Sequence, residues 1–141
     1  MRIVLDTSVF VAALRSNSGA SNRLVQEALH GRYTLLVSVP LLLEYEAVLS
    51  REEHLAASGV TPDDVGVLLD AIASVAEQVR LSFLWRPTLR DEDDEVVLET
   101  AINGRADRLV TFNVKDFDAA PRFGVAVVTP GEALRSIERK Q

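Results

Sequence analysis

Short aliphatic runs, each followed by a segment with helical periodicity, constrain this 141-residue chain more than any other feature. "RIVL" (2–5), "YTLLVS" (33–38), "RLVTF" (108–112) and "GVAVVTP" (124–130) are such runs. A strand with one wet face alternates apolar and polar side chains. These runs barely alternate, so both of their faces are buried. The segments between them are long enough for helices, which parallel strands need in order to return to the same edge. The pattern implies an α/β fold of three layers, α/β/α, with a central parallel sheet of about four to five strands. No repeat, low-complexity segment or linker interrupts it, so residues 1–141 read as a single domain.

The helical segments carry their own punctuation. "SVFVAALRS" (8–16) follows the first strand. Ser21 is placed to cap "NRLVQEALHG" (22–31), whose Leu24, Val25, Ala28 and Leu29 share a face, and Gly31 suits its end. Pro40 suits the first turn of a helical stretch that breaks near Ser50 and runs to Gly59. Thr61 and Pro62 begin a further helix expected over 61–79, with acids in its first turn. "RLSFLWRP" (80–87) reads as strand or extended loop, with Trp85 as a packing or interface residue. Five consecutive acids, Asp91 to Glu95, then feed a helix that stops at Asn103–Gly104, and "PGEALRSIERKQ" closes the chain as a helix.

Bulk composition narrows the function classes. The chain has no cysteine, which excludes a disulfide scaffold and a thiolate metal site and fits a reducing compartment, the cytoplasm. Asp6 interrupts the apolar start, unlike a signal peptide, and no apolar run approaches the roughly 18 residues that span a bilayer, so no membrane partner is expected. The net charge of −6 argues against a broad basic face for nucleic acid. A local patch is still allowed, because acids collected around a metal are offset by the ion.

In parallel α/β folds, reactive groups sit at the carboxyl ends of the strands. Asp6 directly follows the first strand, and Glu44 lies about one turn into the helix after the second. The acidic run opens a helix, and Asn113 and Asp116 follow "RLVTF". Taken singly, each acid has an ordinary reading: Asp6 as a cap, Asp91 to Glu95 as charges matched to a helix dipole, Glu44 or Glu46 as surface, Asp116 as a turn residue. Converging on one spot, they would hold a cation, since otherwise mutual repulsion would protonate some of them. Oxygen donors without Cys and with little His favour Mg²⁺ or Mn²⁺ over Zn²⁺. Such an ion can activate water for phosphodiester hydrolysis.

"RIVLDTSVFVAAL", an isolated glutamate in the second strand–helix unit, "DEDDEVVLETAINGRADRLVTFNVKDF" and "GVAVVTPGEAL" come in an order and spacing that resemble the PIN domain family. Within it they resemble the bacterial VapC-type toxins of toxin–antitoxin pairs. The resemblance implies a metal-dependent ribonuclease with Mg²⁺ or Mn²⁺ as cofactor, RNA as substrate, a cognate antitoxin as partner, and a homodimer. It carries Asp6, Glu44, Asp94 and Asp116 over as catalytic and metal-ligating acids, with Asp93 or Asp91 as alternatives to Asp94. Asn113 stands where the family usually has an aspartate and is expected to support the metal through its carbonyl oxygen. Thr7 and Thr111 are expected to hydrogen-bond the carboxylates. The departure at Asn113 also admits a non-catalytic module that binds RNA or a protein.

His30 and His54 are expected near helix C-termini, in structural roles. Arg15, Arg23, Arg51, Arg86, Arg90 and Lys115 flank the acidic segments in sequence and are candidates to line a groove for RNA phosphates.

Overall fold

The computed structural model describes residues 1–82 and 92–139, with side chains from residue 94 onward in the second span. Among these residues, β1 (Arg2–Leu5) is followed by α1 (Thr7–Arg15) and α2 (Ala20–Leu29). β2 (Thr34–Val37) is followed by α3 (Val39–Leu49), α4 (Glu52–Ser58) and α5 (Pro62–Val75). After β3 (Glu77–Gln78) come α6 (Glu92–Asn103), β4 (Arg108–Val110), β5 (Ala126–Val128) and α7 (Pro130–Arg139). Two short 3-10 helices, Val114–Phe117 and Ala120–Phe123, join β4 to β5.

The strands form one parallel sheet in the order β3-β2-β1-β4-β5. β1 lies in the middle, and Ile3, Val4 and Leu5 have no exposed surface, as expected of a strand covered on both faces. The chain winds outward from β1 through β2 to β3, then crosses back to β4 and β5. Because parallel crossovers are right-handed, the helices after β1 and β2 cover one face and α6 covers the other. α6 packs across β1, β2 and β4, while α7 packs on α2 and so returns to the first face. The result is a three-layer α/β/α fold. Winding reverses between β1 and β4, where the chain leaves the two strands toward opposite faces of the sheet. That is where this class of fold opens a crevice at the carboxyl ends of its strands.

Local signals place most helix starts. Ser38 accepts from Leu41 N at 3.3 Å with Pro40 in the first turn of α3. Thr61 and Asp64 exchange the two bonds of a capping box, 3.2 and 2.9 Å, at α5. The break near Ser50 is present as well, and Gly59 ends α4 in the left-handed conformation.

Two expectations need correction. α2 begins at Ala20 with Gly19 as its cap residue, and Ser21 is buried inside the helix instead of capping it. The helix expected over 61–79 ends at Val75: Ala76 turns extended, and Glu77–Gln78 pair with Leu36 and Val37 as the edge strand β3. Val79 N continues the pairing to Val37 O at 2.7 Å. Residues 81–82 carry no regular structure, and the rest of "RLSFLWRP", with Trp85, lies outside the described residues.

Gly104 lets the end of α6 close on the sheet. A Cβ there would lie 2.8 Å from Val79 Cγ2, 2.9 Å from Leu36 Cδ1 and 3.0 Å from Thr100 O. The carbonyl cannot move without unwinding the last turn. Gly104→Ala should lower the free energy of unfolding by about 1–3 kcal/mol, seen as a lower urea midpoint at unchanged slope.

Candidate active site

Asp6 stands where β1 ends and α1 begins, and only 3% of it is exposed. Its backbone N donates to Val110 O at 2.9 Å, so it is locked to the neighbouring β4 at the point where winding reverses. Its side chain does not cap α1. Instead Oδ2 accepts from Thr111 Oγ1 at 2.8 Å and from Ser8 Oγ at 2.7 Å. Thr111 Oγ1 accepts in turn from Asn113 N at 3.0 Å, and Ser8 Oγ from Phe112 N at 3.4 Å. One carboxylate oxygen thereby ties the start of α1 to the loop after β4. Oδ1 has a 3.4 Å contact from Thr7 Oγ1.

Beneath this network Tyr45 of α3 is fully buried, its ring 4.4 Å from that of Phe10 and its hydroxyl donating to Leu5 O. The Tyr45 ring thus supports the residue before Asp6 from below. Burial, and after it the neighbouring Asp6 carboxylate, hold the Tyr45 phenol well above its usual range. Burial likewise raises Tyr33, which donates to Leu24 O at 2.7 Å.

Over Asp6 lies an open cleft of about 330 Å³. Its lining brings together Asp6, Glu44, Asp94 and Asn113 from four separate elements or loops, along with Thr7 and Ser8. Glu44 is half-buried on α3 while Glu46 is exposed, so Glu44 is the glutamate turned to the cleft. Asp94 is half-buried in the first turn of α6, where the helix dipole favours a carboxylate. Asp91 and the side chain of Asp93 lie outside the described residues. Asp116 is exposed on the 3-10 helix after β4, with its N donating to Asn113 O at 2.9 Å, and it does not line the cleft.

Among the described residues, no three His, Cys, Asp or Glu side chains stand close enough to enclose an ion. The cleft acids are gathered around one opening without forming a closed cage. This donor set fits Mg²⁺ or Mn²⁺: it offers only hard oxygens, and Mg²⁺ takes one or two carboxylates while keeping waters. Asp6, Glu44, Asp94 and the Asn113 amide oxygen are the groups that could hold it.

The opposite wall was less predictable. Arg51 and His54 line the same cleft. His54 is the third residue of the seven-residue α4 and not near a helix C-terminus, which corrects its expected placement. Its Nδ1 lies 2.8 Å from Arg15 Nη2. His30 does sit at a helix end, as the residue after α2. Of the other flanking cations, Arg23 pairs with Glu138 at 3.2 Å, Lys115 is exposed on the 3-10 helix, and Arg86 and Arg90 lie outside the described residues. Ser8 was also missed, although its position two residues after Asp6 at a helix start is a usual one for a hydroxyl that bonds a nearby carboxylate or backbone group.

The sequence matches the PIN domain family model over residues 2–115. The fold is similar to a chain in the crystal structure of VapBC2 from Rickettsia felis bound to a DNA fragment from their promoter. That match has a TM-score of 0.63 at 20% identity and covers 92% of this chain and 98% of that one. No curated protein matches the sequence.

The two buried tyrosines set an alkaline limit. In the unfolded chain both lose their protons near pH 10, at about the usual tyrosine value. The folded chain keeps them longer, so above that pH the unfolded state binds fewer protons and stability falls as pH rises. Urea midpoints should therefore decline progressively above about pH 10. Tyr45→Phe should make that decline shallower while lowering the midpoint at neutral pH.

Proposed function

Because the chain belongs to the PIN domain family, we propose that it is a Mg²⁺- or Mn²⁺-dependent endoribonuclease, hydrolysing RNA phosphodiester bonds as the toxin of a type II toxin–antitoxin pair. PIN domains are generally nucleases. The observation that carries the reading is the buried Asp6 carboxylate, held through one oxygen and sharing a cleft with Glu44, Asp94 and Asn113.

A bound Mg²⁺ or Mn²⁺ would supply an activated water and neutralise charge on the phosphate. The chain's own residues provide the frame. Asp6, Glu44 and Asp94 would hold the ion and Asn113 would add a neutral oxygen, while Asp116, exposed outside the cleft lining, would reach it only by a shift of the adjacent 3-10 helix. Thr111 and Ser8 fix the Asp6 carboxylate, so that it need not reorganise when charge develops on the phosphate.

Two partners belong to the proposal. One is a cognate antitoxin chain that covers the acidic cleft. The similar fold found in a VapBC2 complex supports it. The other is a second copy of the chain: exposed Val39 and Leu43, one turn apart on α3, offer apolar surface for a homodimer. The apolar "LSFLW" segment (81–85) is a further candidate for that contact; its residues 83–85 lie outside the described residues. Among the described residues no helix is long and apolar enough to cross a membrane, and with the absence of cysteine this supports a cytoplasmic location. The whole chain, residues 1–141, is taken as one domain.

Cleavage of a labelled RNA in Mn²⁺ tests the activity. Asp6→Asn should reduce the rate at least about 100-fold, and Thr111→Val about 10- to 100-fold, since it removes only a support of the ligand. Equal cleavage by wild type and Asp6→Asn would refute the nuclease reading. A second reading, a non-catalytic module, is favoured by Asn113 in place of the usual acid. Calorimetric titration separates the two: wild type that takes up no Mn²⁺ supports the module.

A further inference from the structure

An RNA backbone entering this cleft meets a difficulty that the acids create. The chain carries a net charge of −6, and three carboxylates line the opening that must admit a polyanion. A single metal ion offsets part of that charge at one phosphate only. Binding of the flanking phosphates needs basic or donor side chains in the same cleft, and the basic ones among its lining residues are Arg51 and His54.

We infer that Arg51 and the Nε2–H of His54 form a subsite for an RNA backbone phosphate next to the scissile one, with Arg15 positioning His54. The inference rests on the nuclease reading and adds the wall on which the substrate is seated. Three observations support it.

First, Arg51 is exposed, and among the described residues its guanidinium pairs with no carboxylate, although Glu52 and Glu53 follow it directly. A guanidinium presents a planar fork of donors that matches two phosphate oxygens.

Second, the contact between Arg15 Nη2 and His54 Nδ1 fixes the imidazole. A guanidinium has donors only, so Nδ1 must accept and the ring proton sits on Nε2. His54 is then a donor to ligands and has no free nitrogen with which to act as a base. The nearest carboxylate, Glu53 Oε1, is 4.0 Å from Nε2, beyond hydrogen-bond reach, so that donor is not consumed.

Third, α3 and the first turn of α4 form one short stretch that carries Glu44, Val48, Arg51 and His54, all lining the cleft. An acid that would hold metal and two donors that would hold phosphate are thereby set at a fixed separation by packed helices, with α1 contacting both α3 and α4. Arg15 at the end of α1 acts through His54 and is a positioning residue.

The test measures binding and turnover separately. A short fluorescein-labelled single-stranded RNA of mixed sequence is titrated in EDTA at several salt concentrations, and cleavage of the same RNA is followed in Mn²⁺. Arg51→Ala should weaken binding about tenfold and reduce the salt slope by about 0.7 to 1, the loss of one phosphate contact. KM should rise by a similar factor with kcat largely kept, and Mn²⁺ affinity should not change. Arg51→Lys should keep the slope but recover only part of the affinity. Arg15→Ala should raise KM and shift the His54 ring nitrogens away from the Nε2–H form in NMR spectra, and Arg15→Lys should restore both. Arg135→Ala, on α7 and outside the cleft lining, should behave as wild type.

Wild-type affinity and salt slope in both Arg51→Ala and Arg51→Ala/His54→Gln would overturn the subsite. If wild type still cleaves RNA in an Asp6-dependent way, the nuclease reading survives that result. A wild-type protein that neither binds nor cuts RNA overturns both.

Discussion

Burying the Asp6 carboxylate at the end of a parallel strand would cost several kcal/mol if it were left without donors. The protein meets that cost with two short hydroxyl donors, Ser8 and Thr111, directed at the same oxygen. Hydrogen bonds to a charged group contribute about 1.5–3 kcal/mol each, enough to hold the anion where it is. Each hydroxyl also accepts a backbone N–H from the loop after β4. The charge therefore organises its surroundings: α1 starts, β4 ends and the following loop turns in positions that all answer to one carboxylate. With Oδ2 committed to the protein, Oδ1 is the oxygen left for a ligand.

The sheet topology explains why other acids can reach this point. β1 and β4 are adjacent, yet the chain leaves them toward opposite faces. A gap opens above their carboxyl ends that no direct crossover fills. α3 approaches it from one layer and α6 from the other, and the two helices touch. Glu44 and Asp94 thus arrive from opposite sides of the sheet over a residue that belongs to its central strand. Residues nearly 90 positions apart, Asp6 and Asp94, become neighbours of one cleft through strand order alone.

This also marks what sequence reasoning could reach. The strands beside β1 were readable because burial on both faces demands unbroken aliphatic runs, and Leu35, Leu36, Leu109 and Val110 supply them. β3 was not, because an edge strand of two exposed residues, Glu77 and Gln78, needs no apolar pattern and is defined by pairing with β2. The preceding helical periodicity simply ran on past Val75. Asp6, Glu44 and Asp94 could be placed because each is tied to a strand end or helix start, and those fall on one edge in any parallel α/β fold. Arg51 was visible only as one of several flanking cations. His54 depends on geometry that no local rule carries, α4 doubling back toward α1, whereas Ser8 bonds the carboxylate two residues before it and had a local signal at the helix start. Asp116 shows the converse, since proximity in sequence to Asn113 does not bring it into the lining of the cleft.

The distribution of charge follows from the same geometry. A uniformly basic surface would attract RNA wherever it fell and would leave the backbone unregistered relative to Asp6. On the proposed reading, a net acidic protein with Arg51 and His54 on one wall of the acidic cleft would instead seat the polymer beside Asp6. On that reading association would be slower than for a basic nuclease, but the bound strand would be held where the acids and an ion between them could act. On the proposed reading, local placement of two donors, Arg51 and His54, against a net charge of −6 would favour specificity of position over affinity.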